Sequence, residues 1–200
     1  MAVTVNFGVP TEQTGGTLMP KLQYRFRVSF TNLGGQGTTG SLITRNVVSV
    51  TRPALDHEDV TVDVYNSKIR LAGKHTWQDV TLVIRDDVNS DVMTMLGNQM
   101  ARQVNHATQS SAKAGADYKF GLKIEMLDGS QTDAAIDTWT LAGCFIPSIQ
   151  YGDLNYATSD VVQITATIRY DNASNEGKAG TDALAKGTPG KGSVAPGGNN

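Results

Sequence analysis

Apolar and polar residues alternate with a period of two in several separate stretches of this chain, and one stretch alone repeats at helical spacing. A period of two places every second side chain on the same face of an extended strand, so the chain is restricted to sheets that bury one face. Over 21–31, Leu22, Tyr24, Phe26 and Val28 share one face, with Lys21, Gln23, Arg25 and Arg27 on the other. Over 59–65, Val60, Val62 and Val64 oppose Asp59, Thr61, Asp63 and Tyr65. Tyr118, Phe120, Leu122, Ile124 and Met126 alternate with Lys119, Gly121, Lys123 and Glu125, and Val162, Ile164, Ala166 and Ile168 line a last strand over 159–170. A further strand is expected over 41–52, stopped at Arg52-Pro53 because proline cannot donate to a ladder. A long, bent strand is expected over 136–151, interrupted at Pro147.

The helical exception starts at Asn89-Ser90-Asp91, a capping side chain followed by a first-turn acid. Met93, Leu96, Met100, Val104 and Ala107 then recur at helical spacing, with Met95 adding a further apolar position. Arg102 and His106 stand near the C-terminal end, where the helix dipole favours cations. About seven or eight strands with one helix make a mainly β chain, a β-sandwich or partly open barrel with a flanking helix.

Three segments follow from composition. Residues 1–20, rich in Gly, Thr and Pro with scattered valines, read as an N-terminal arm, and 21–171 as the folded domain. Residues 172–200 turn to Gly, Lys, Ala, Ser and Pro without periodicity, and read as a flexible tail. The formal net charge is −2; three lysines against Glu176 and Asp182 give the tail +1, which leaves −3 on the rest. A mildly acidic body lacks the basic surface that a general nucleic-acid binder needs to displace counterions. The sole cysteine, Cys144, excludes an intrachain disulfide framework. No stretch has the length and apolarity of a membrane span or the pattern of a signal peptide, so neither a membrane anchor nor export is expected.

Residues 66–87, NSKIRLAGKHTWQDVTLVIRDD, read as a strand, a tight turn at Ala72-Gly73, a second strand opened by Trp77, and an acidic stop at Asp86-Asp87. This stretch resembles the core segment of the tail tube proteins of contractile-tailed bacteriophages. The resemblance rests on Asn66, Lys68, Ile69, Ala72, Gly73, Thr76, Trp77, Asp79, Thr81 and the pair Asp86-Asp87. It departs at Val80, where a large aromatic can occur in the family. It is dense here, continues loosely through the order of elements from Leu22 to about Tyr170, and does not extend to the tail.

No candidate for chemistry competes with that reading. Gly73-Lys74-His75-Thr76 lacks the earlier glycine of a phosphate loop, since position 68 is lysine, and a strand follows where a helix should start. Asp56-His57-Glu58-Asp59 holds metal-ligand types, but neighbours in sequence rarely converge on one ion, and a charged loop is expected. Cys144 sits on an apolar run between Leu141 and Phe145 and reads as a small buried hydrophobe. Asp79, Asp86 and Asp87 read as turn and surface acids, and neither a cofactor nor a catalytic residue is expected.

The resemblance implies a structural subunit. Tail tube proteins form hexameric rings in which strands from all six subunits join into one continuous inner β-barrel, and the rings stack into a hollow tube that conducts DNA. The implied partners are further copies of the chain, the tail sheath outside, the tape-measure protein inside during assembly, and the baseplate hub and tail terminator at the ends. DNA would pass without specific binding. The implied location is a virion tail assembled in a host cytoplasm. Related tubes serve type VI secretion systems and phage-derived bacteriocins. Asp59 and Asp63 are the expected lumen residues, and Asp56, His57 and Glu58, within the 54–65 segment, the expected ring-to-ring contacts.

Overall fold

The structure is a computed structural model that describes residues 21–35, 41–130, 134–177 and 181–182. In chain order the elements are β1 (Phe26–Thr31), α1 (Ser41–Asn46), β2 (Val47–Val50), β3 (Leu55–Val64), β4 (Ser67–Trp77) and β5 (Val80–Arg85). They continue with α2 (Asp91–Gln103), β6 (Val104–Asn105), β7 (Ser110–Ser111), β8 (Phe120–Leu127), β9 (Ala135–Gln150), β10 (Gln163–Arg169), β11 (Asn172–Gly177) and β12 (Thr181–Asp182).

Two long strands tie the fold together. β9 runs for 16 residues. Its first half pairs with β8 and its second half with β10. β10 continues through the Asp171 N–H to Ala142 C=O bond into β11, so β10 and β11 follow the same edge of β9 from Thr138 to Gln150. One half-sheet is therefore β1-β8-β9-β11-β12, and the other is β9-β10-β5-β2, all antiparallel. The apolar sets that alternation predicts meet between the halves: Val28, Phe30, Leu122, Ile124 and Leu141 against Leu82, Ile84, Ile146, Ile164 and Ile168, all buried. Cys144 is buried with them, and burial pushes its thiol up to about 12. The mainly β architecture with a flanking helix stands as expected, as an open sheet among the described residues.

Helix α2 covers one end of this core, with its inward face shifted by about one residue from the expected stripe. Val92, Met95, Leu96 and Gln99 face inward, Met93 is exposed, and the helix ends at Gln103, before Val104 and Ala107. The buried amide of Gln99 decides the phase. Its oxygen accepts from the Gly34 N–H at 3.0 Å and its nitrogen donates to the Tyr118 carbonyl at 2.6 Å. With both ends of its amide hydrogen-bonded, the polar side chain can be buried without an unsatisfied group. The helix start also differs: Ser90 has a φ of 57° and makes no side-chain cap, and the Asp87 carboxylate accepts from the Asp91 N–H at 2.8 Å instead.

Other boundaries move for identifiable reasons. Residues 41–46 are helical, which carries Ile43 into the core, and the strand there is confined to Val47–Val50. β1 begins at Phe26, after a turn that leaves Tyr24 71% exposed. β9 runs past Pro147, which lies in an irregularity of the β9–β10 ladder, where no N–H is needed. The expected domain limit at 171 falls short. Asn172–Gly177 forms β11 against Glu176↔Thr138 through Asn172↔Ala142, and Ala173 is buried. Thr181–Asp182 forms β12 against β11, and the expected N-terminal arm and the rest of the tail lie outside the described residues.

Candidate assembly interface

β3 and β4 make a hairpin that extends the β2–β5 ladder outward. The ladder continues from β2–β5 through the Thr51 N–H to Thr81 C=O and Gln78 N–H to Ala54 C=O bonds to the Leu55↔Trp77 pair, and the hairpin ends at Val64↔Ser67. Ten residues at about 3.3 Å each carry it roughly 30 Å beyond the body. The expected charged loop at Asp56–Asp59 is thus strand. The expected turn at Ala72-Gly73 is also strand, and the chain reverses at Tyr65-Asn66. Gly73 is required for another reason than a turn. It lies in the bulge where Gly73 and Lys74 together oppose Glu58, and a Cβ there would meet the Val60 Cγ2 at 2.9 Å and the Glu58 Cβ at 3.1 Å.

The bulge sorts the side chains of the outer hairpin. Val60, Val62, Val64, Ile69 and Leu71 share one face and are 43–53% exposed. Asp59, Thr61, Asp63, Lys68 and Arg70 share the other, with Arg70 3.1 Å from Asp59 and Lys68 3.3 Å from Asp63. Asp59 and Asp63 are each matched by a cation and form no acidic stripe. At the tip, Tyr65 is fully exposed and held at a φ of 44°, in the left-handed region that a bulky side chain rarely adopts. Nearer the body, His57 and His75 face each other across the strands with ring centres 6.2 Å apart, and His75 meets Trp77 edge-on. Trp77 packs on Tyr170, while Arg169 holds both oxygens of Asp79 at 2.9 and 3.1 Å. Gln78 donates to Asp56, and Thr81 N–H donates to the Thr51 hydroxyl at 2.8 Å. Asp56, Asp79, Thr76, Trp77 and Thr81 therefore build or flank the root. Asn66, Lys68, Ile69 and Ala72 belong to the outer hairpin.

The half-sheet that carries the hairpin has two edges without a strand partner among the described residues. One is the outer edge of β2. The other is β9 beyond Cys144, where β8 has ended and Phe145–Gln150 pair on one side alone. There the Gln103 amide brackets Ile146, donating to its carbonyl and accepting from its N–H, both at 2.9 Å. The face of this half-sheet turned from the core carries Ser49, Thr81, Ser148, Gln150, Gln163, Thr165 and Thr167, with Val83 and Arg85. At the end opposite the hairpin, the 151–162 loop overhangs Val48 and Arg85 and encloses an open cleft of about 890 Å³. Neither the cleft nor the Gln103 bracket was legible in the sequence, because neither has a period. The weak signal was a loop holding Tyr151, Leu154, Tyr156 and Val161.

No protein-family model matches the sequence, and no curated protein matches it. Solved structures do. The chain is similar over 80% of its length to 98% of a chain in the six-fold symmetrised baseplate of the anti-feeding prophage, at 16% identity and a TM-score of 0.61. Against a chain of the sheath–tube complex of an extracellular contractile injection system, PVC, the values are 79%, 92%, 15% and 0.54. Against the SPP1 tail tube they are 80%, 80%, 10% and 0.54. The fold is a tail-tube fold. Among the described residues, the hairpin, the two edges without a strand partner and the cleft are surfaces open to other molecules. Among the described residues no group of three or more His, Cys, Asp or Glu is placed to hold a metal ion, and no helix is long and apolar enough to cross a membrane.

Proposed function

We propose that this chain is a structural subunit of a tail tube, in which six copies close into a ring and the rings stack into a hollow tube that conducts phage DNA. The observation that carries the reading is the half-sheet β9-β10-β5-β2, whose two outer edges lack a strand partner among the described residues, the β9 edge being held only at Ile146 by the Gln103 amide. An uncovered edge is a template for pairing with another chain. Four strands of alternating direction place β2 of one copy antiparallel to β9 of the next, so every joint repeats the same ladder and rotation closes the ring. The lumen in this reading is lined by the hydroxyl and amide face of that half-sheet. Such a face offers DNA few cations to release counterions against, and phosphate passes without adhering. This lining takes the place of Asp59 and Asp63, whose charges are matched on the hairpin.

The tail sheath would bind the outer surface, the tape-measure protein would fill the lumen during assembly, and the baseplate hub and tail terminator would meet the two ends. The finished particle would be a virion tail assembled in the host cytoplasm. The likeness to chains of a prophage baseplate and an extracellular contractile injection system supports a second use of the same subunit, as the tube of a phage-derived injection particle such as a bacteriocin or type VI secretion tube. Negative-stain electron microscopy of the purified chain at rising concentration tests the proposal. Hollow tubes with six-fold end views are expected. A monomer at every concentration, with no tubes when baseplate particles are added as nuclei, overturns it.

A further inference from the structure

The body is open along a second line, away from the hairpin and the cleft. β1 is the last strand of one half-sheet and β2 the last strand of the other, and among the described residues neither has an outer strand partner. Between these two strands runs a groove of about 700 Å³ whose apolar lining is Phe26, Val28, Val47, Val50, Ile124 and Met126. Phe26, Val47 and Val50 pack against the core and are only partly buried. The sequence holds a segment of the matching pattern. Residues 1–11 carry no charged side chain, and Val3, Val5, Phe7 and Val9 alternate with Thr4, Asn6 and Gly8 up to Pro10. That is the period of the sheet strands, with every apolar side chain on one face.

We propose that residues 3–9 lie extended along the outer edge of β1 of their own chain, antiparallel to it, with Val3, Val5, Phe7 and Val9 over the groove. The point of attachment fits. The described chain begins at Lys21, whose Nζ lies 3.4 Å from an Asp137 carboxylate oxygen, and Gln23 already lines the groove. The connection through 10–25 has only to turn the chain back on β1, and antiparallel neighbours in sequence need no crossover. Lengths match as well: at about 3.3 Å per residue, residues 3–9 span roughly 23 Å and β1 roughly 20 Å. The outward N–H and C=O groups of an edge strand bind the backbone of an added strand, and the surface beside it takes the alternate side chains. The short tether holds the arm at an effective concentration on the order of millimolar, which favours a chain's own arm over that of another copy. The outer edge of β2 stays free, so the arm does not compete with closure of a ring.

Amide exchange and thermal unfolding of the unassembled full chain and its variants test the contact. Deleting residues 2–10 is expected to speed exchange in β1 and to lower the thermal midpoint by several degrees, while β10 stays protected. The double variant Val5→Asp, Phe7→Asp, which sets two carboxylates against the groove, is expected to reproduce both effects. The control Thr4→Asp, Asn6→Asp, on the opposite face of the same segment, is expected to produce neither. In the parent chain the protection of β1 is expected to be unchanged on dilution. A deletion that leaves β1 exchange and the midpoint as they were overturns the proposal, and so do equal losses from the two double variants. Protection that falls on dilution gives the groove to the arm of another copy and overturns the contact within the chain. No outcome depends on tube formation, so the contact and the tube reading stand or fall separately.

Discussion

The outer hairpin and the half-sheet beneath it carry the same sequence pattern and opposite fates. Leu82, Ile84, Ile164 and Ile168 alternate with polar residues and are buried. Val60, Val62, Ile69 and Leu71 alternate as cleanly and stand about half exposed. Alternation states that one face of a strand avoids water. It does not state whether the cover comes from the same chain. The body finds its cover in the second half-sheet and α2. The hairpin projects beyond both, and its apolar face is left about half exposed.

The comparison breaks most sharply by mutation on each side. Ile84→Ala is expected to cost about 2–5 kcal/mol in chemical denaturation, the usual range for a fully buried aliphatic truncated to alanine. Ile69→Ser is expected to change the same stability by no more than about 0.5 kcal/mol while abolishing tubes. Equal destabilisation by both would place the hairpin in the core of the single chain. Next in size is truncation after Asp171. Losing β11 uncovers the β9 edge over Thr138–Ala142 and removes buried Ala173, so a fall in thermal midpoint of several degrees is expected, of the order that a loss of 1–2 kcal/mol gives in a domain this size. An unchanged midpoint would make β11 an ornament on the sheet.

The smallest effect concerns Glu125, a buried acid of the body. Burial opposes its ionisation, and hydrogen bonds from Arg27 and Lys123, both at 2.7 Å, outweigh that and hold its carboxyl below the ordinary 4.5. A lowered folded pKa contributes stability above the unfolded value, and that contribution fades as pH falls through the folded value. Glu125→Gln is therefore expected to be less stable than the parent at pH 7, with the gap narrowing steadily below pH 4.5 in urea titrations. The hairpin pairs Asp59–Arg70 and Asp63–Lys68 are exposed, and neutralising either should leave stability nearly unchanged.

The sequence made the sheet legible because its faces are local. Phe120, Leu122 and Ile124 announce β8, and Ile164, Ala166 and Ile168 announce β10, whatever lies above them. It hid what depends on distant partners. Gln99 reads as a surface residue until Gly34 and Tyr118 are brought to its amide. Asn172–Gly177 reads as a tail because Asn, Ser and Gly are poor strand formers, and the edge of β9 overrides that preference. Ala72-Gly73 reads as a turn because glycine permits one, whereas here it makes room for Val60 and Glu58. The sequence marked the 54–65 segment as a candidate contact, and the structure shows it as the exposed strand β3. The cleft was not legible, since its residues meet through the ends of three strands and one loop.

Hydrogen–deuterium exchange on the monomer and on the assembled protein tests the central claim most directly. The backbone of 55–77, with 47–50, is expected to exchange faster than β8 in the monomer and to gain strong protection on assembly, while β8 and the first half of β9 stay protected in both. Tubes whose hairpin and edges exchange as fast as in the monomer would contradict the assignment of these surfaces to contacts between copies.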